Sequence, residues 1–60
     1  MLTTNELQNE YWKAINDLDV AYNHFNNAEP GFVDAAIAEL SAAALKVSAI
    51  RNILNTRYGL

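Results

Sequence analysis

Two stripes of apolar residues at helical spacing, separated by a single break, constrain this chain more than any other feature. The first runs through Leu7, Tyr11, Ala14, Leu18, Ala21 and Phe25 in alternating steps of four and three. The second runs through Val33, Ala36, Leu40, Ala43, Val47, Ile50 and Leu54 in the same rhythm. Such spacing places every member of a stripe on one face of an α-helix. Ile15 and Tyr22 widen the first stripe; Ile37 and Ala44 flank the second. Asn9, Asn16 and Asn23 recur at sevenfold spacing opposite the first stripe, as do Asp34, Ser41, Ser48 and Asn55 opposite the second. Those positions read as solvated faces.

The helix ends carry their own signals. Thr3 and Glu6 have the spacing of a capping box, and Leu2 with Leu7 has that of a hydrophobic staple. Glu6 and Glu10 complement the positive end of the helix dipole. The break falls at Asn26-Asn27-Ala28-Glu29-Pro30-Gly31. Asparagine terminates helices and tolerates left-handed backbone. Pro30 pushes Glu29 out of helical conformation and suits the first position of a following helix. Arg51 and Arg57 suit the negative end of that helix, and Gly59 stops it. The pattern predicts helix 1 over about 4–26, a turn over about 27–29 and helix 2 over about 30–58. At 1.5 Å per residue each is roughly 33–42 Å long. So short a link makes the helices antiparallel neighbours. The expected fold class is all-α: a single domain, 1–60, built as a two-helix antiparallel hairpin.

One copy leaves apolar surface to spare. Below roughly 70–80 residues a core is marginal without disulfides, a metal or association, and this chain of 60 residues has no cysteine. Two helices bury only the stripes that face each other. Trp12 and Val20 on helix 1, and Phe32, Leu45 and Ile53 on helix 2, lie off the seam and are the expected interface residues. Seven alanines between Ala35 and Ala49 favour helix and allow close approach of a neighbour. The expectation is a homo-oligomer, foremost a dimer forming a four-helix bundle. The alternative is a small adaptor or regulator that lends an apolar helix face to a larger protein partner.

Other classes find little support. The net charge is −3, and the basic residues Lys13, Lys46, Arg51 and Arg57 are scattered, which argues against nucleic acid. No apolar run approaches the ~18–20 residues of a membrane span. The opening residues lack the layout of a signal peptide, so the expected location is the cytoplasm. His24 is the sole histidine, and Val20, Ala21, Asn27 and Ala28 occupy the helical ligand offsets around it. Glu10, Asp17 and His24 align, but each step spans two turns, about 10 Å, too far to share a metal ion. Asp17 and Asp19 point in different directions on a helix. Ser41 and Ser48 have no histidine beside them, and no glycine-rich phosphate loop is present. No catalytic residue, metal or cofactor is expected, hence a non-catalytic structural or interaction protein. Glu10 with Lys13, and Lys13 with Asp17, have the spacing of surface ion pairs.

Residues 19–49 also carry a family pattern. Phe25-Asn26, then Ala28-Glu29-Pro30-Gly31-Phe32-Val33-Asp34-Ala35-Ala36-Ile37, then Glu39-Leu40 and Ala42-Ala43, resemble the YaaL-like family of short bacterial proteins of unknown function. The chain departs from that pattern at Ala38, where members often carry an aromatic, and at Ala44, where they often carry an acidic residue. The resemblance implies a helical hairpin and a cytoplasmic bacterial protein. It implies no activity and no functional residue.

Overall fold

The computed structural model describes residues 2–59. Helix α1 spans Thr4–Asn26 and helix α2 spans Val33–Tyr58, and the two pack lengthwise against each other. The hairpin is a rod 42 Å long and 17 by 15 Å across.

The start of α1 is the capping box its sequence announces. The Glu6 amide donates to Thr3 Oγ1 at 3.2 Å, and the Thr3 amide donates to Glu6 Oε1 at 3.2 Å. Two amide donors that the helix cannot satisfy internally are thereby paired. Asn27 closes the other end without left-handed backbone, at φ −106°. Its side-chain amide and its backbone N–H both donate to the Asn23 carbonyl instead, at 2.9 and 3.1 Å. The second helix begins more gradually than its sequence implies. Pro30–Phe32 form a 3₁₀ turn, and regular α-helix follows from Val33. Glu29 stands extended before that turn, with no capping bond from its side chain. Gly59 ends α2 at φ +67°, the left-handed conformation that glycine adopts without a Cβ clash.

The core is the seam of the two stripes. Leu7 and Ala14 of α1 pack with Val47, Ile50 and Leu54 of α2, bordered by half-buried Tyr11, Ile15, Leu18 and Tyr58. Ala21 and Ala36 continue the seam toward the turn. Every remaining stripe position is half-buried. Ile53 departs from the expectation that it stands outside: it is half-buried against this core. It follows Ile50 by three residues and so lies on a neighbouring part of the helix surface, within reach of the seam. At the open end, the Tyr58 hydroxyl donates to the Leu2 carbonyl at 3.1 Å and ties the two ends of the hairpin together.

Candidate interaction surface

The hairpin has two unlike long sides. On one, α1 contributes Glu10, Asp17 and His24, and α2 contributes Glu39 and Lys46. Across it, His24 Nδ1 and Glu39 Oε1 approach to 2.8 Å, a link between the helices that sequence spacing had no means of showing. Lys13 pairs with Glu10 at 3.6 Å and, among the described residues, not with Asp17. These pairs are largely exposed, so their electrostatic contribution is small.

The opposite side is apolar along α1 and mixed along α2. Tyr11, Ile15, Leu18 and Tyr22 follow one another along α1 in steps of four, three and four, and Ile15 lies two and a half helical turns from His24. Ile15, Leu18, Asp19 and Tyr22 line a shallow groove on this flank. Beyond it, Gln8, Tyr11 and Trp12 line a second groove with Arg51, Leu54 and Asn55 of α2. The indole of Trp12 leans on Tyr11, ring centroids 5.9 Å apart and planes tilted by 54°. Helical spacing back from Arg51 puts Ser48, Ala44, Ser41 and Ile37 on the same flank of α2. Bulky residues from α1 therefore run beside a strip of mostly small residues from α2.

The five expected interface residues do not converge. Trp12 is 65% exposed and borders the apolar side. Val20, also exposed, continues the outer line of Asn9, Lys13 and Asn16 on α1. Phe32, 66% exposed, sits in the 3₁₀ turn beside His24, Asn27 and Glu39, at the polar side. Leu45, 71% exposed, stands on the back of α2 among Ala38, Ala42 and Ala49. Ile53 is half-buried at the edge of the core. Sequence reasoning passed over Tyr22 and Ile37, which stay 53% and 45% exposed at the turn end of the apolar side. The signal was present, since Tyr22 completes the line of Tyr11, Ile15 and Leu18. Both residues were assigned to the edges of the internal seam. With alanine at 14, 21 and 36 that seam is narrow, and its edges remain outside.

The surface as a whole is larger than a compact chain requires. The accessible area is 4407 Å², against about 3,900 Å² for a compact monomer of this mass. The radius of gyration is 13.6 Å, against about 10 Å for a globule of this length. Among the described residues, no three of His, Cys, Asp and Glu cluster as metal ligands would. No helix there is long and apolar enough to cross a membrane. Comparison of the chain with family models, with curated proteins and with solved structures finds no match.

Proposed function

We propose that this protein is a non-catalytic structural or interaction module whose hairpins associate in pairs as a four-helix bundle. The observation that carries the reading is the apolar long side, where Trp12, Tyr22 and Ile37 stand exposed beside half-buried Tyr11, Ile15 and Leu18. Scattered apolar residues are ordinary on a protein surface, but a continuous stretch of them marks an interface. The excess accessible area supports the same conclusion, because a second hairpin supplies the burial that one copy lacks. A cytoplasmic setting and kinship with the YaaL-like family belong to this reading through the residues around the turn, Ala28 to Ile37.

Sedimentation equilibrium or light scattering at micromolar concentration tests it. The expected mass is twice the 6.7 kDa of the chain. A folded monomer throughout the concentration range would refute self-association and leave attachment to a larger partner protein as the surviving form of the proposal.

A further inference from the structure

We infer that the second copy covers the apolar side with its α2 lying over α1 of the first, both turns at the same end, and that the His24–Glu39 side faces outward. This inference rests on the self-association reading and specifies the surface and the orientation.

Size comes first. One broad side of the rod, 42 by 17 Å, projects about 700 Å², so two copies bury about 1,400 Å² in all, within the range of stable specific interfaces. The area available on that side is thus what a stable dimer needs. The polar side is less suited to burial: it carries Glu10, Asp17, Glu39 and Lys46, so covering it would desolvate more charges than covering the apolar side, which carries Asp19 and Arg51.

Shape then selects the orientation. The apolar side has a bulky strip, Tyr11, Trp12, Ile15, Leu18 and Tyr22 on α1, beside a strip on α2 that is small in its middle, Ser41, Ala44 and Ser48, between Ile37 and Arg51. Interiors pack at near-crystalline density, and facing layers fill space when large residues meet small ones. A two-fold axis parallel to the helices sets each α1 over the partner copy's α2, so bulk meets hollow twice. A two-fold axis across the helices sets α1 over α1 and α2 over α2. That arrangement crowds aromatic against aromatic on one half and leaves a gap between small residues on the other. In the parallel-axis arrangement Tyr22 falls near the partner copy's Ser41, because the His24–Glu39 contact sets that register. Arg51 falls near the Trp12 ring of the partner copy, where a guanidinium is attracted to the aromatic face. Every adjacent pair of helices in the resulting bundle is antiparallel.

The chain has no cysteine of its own, so single-cysteine variants report contacts cleanly. Tyr22→Cys and Ser41→Cys change exposed residues and leave the hairpin core intact. Mixed at micromolar concentration and oxidised, these two variants are expected to form a mixed disulfide, because facing positions in a helix pair come within bridging distance. A disulfide between Tyr22→Cys and Trp12→Cys copies in its place would mean a head-to-tail dimer and overturn the orientation. Glutamate scanning checks the surface independently. Tyr22→Glu and Ile37→Glu are each expected to weaken the dimer about tenfold or more, and Leu45→Glu to change it less than about twofold. A dimer weakened by Leu45→Glu but indifferent to the other two would overturn the choice of face while leaving self-association standing. A monomeric unmodified chain would instead overturn the parent reading, and this inference with it.

Discussion

Ala14 and Ala21 lie at the centre of the α1 stripe, and each is 1% exposed. A methyl group is all the seam accommodates there, with Val47 and Ile50 of α2 in the same cluster as Ala14. Alanine serves two ends at once: it is the best helix former and it lets the second helix come close. The expected consequence is that Ala14→Leu, though it adds hydrophobic surface, destabilises the hairpin by about 1–3 kcal/mol through overpacking. Thermal unfolding followed by far-UV circular dichroism checks this. About 1 kcal/mol corresponds to roughly 4–8 °C in a domain of this size, so the effect is well resolved. A melting temperature equal to or above that of the parent would show that the seam has room to spare. His24 and Glu39 illustrate the opposite case. Their 2.8 Å contact joins the helices, but both side chains are about half exposed, so the pair orients more than it stabilises.

At the level of elements, the two helices differ in how sharply they are defined. α1 opens on a closed capping box. α2 opens through a 3₁₀ turn behind an uncapped Glu29. Glu29 has extended backbone at φ −69° and ψ 153°, the geometry in which a serine side chain reaches an amide of the following turn, where Pro30 has no N–H and the Phe32 N–H already donates to the Glu29 carbonyl. Glu29→Ser is therefore expected to raise stability by about 0.5–1 kcal/mol, read as a higher melting temperature with unchanged helix content. A fall in stability would show that the 3₁₀ start depends on the glutamate in some other way. The helices also differ in how apolarity is distributed around them. α1 sets its apolar stripe against asparagines on the far face, while α2 backs its stripe with Ala38, Ala42, Leu45 and Ala49.

The whole molecule is a rod with more surface than a compact chain of its mass. Stability that depends on a second copy carries a concentration signature, because mass action couples association to folding. The melting temperature is expected to climb steadily as protein concentration rises a hundredfold through the micromolar range. A midpoint that stays put across that range would mean that each hairpin stands alone. Much of the fold was legible before any coordinate. The capping box at Thr3 and Glu6, the break before Pro30, the glycine stop at Gly59 and the two apolar stripes are local or periodic features, governed by backbone geometry within a few residues. Periodicity says which side chains share a face, but not how wide a strip of that face a neighbour will cover. That width depends on how the two helices meet across an alanine-rich seam, which is why Ile53 turned inward while Tyr22 and Ile37 stayed outside. The division of the hairpin into a polar side joined by His24–Glu39 and an apolar side from Trp12 to Ile37 arises only when residues distant in the chain come together, and tertiary packing alone decided it.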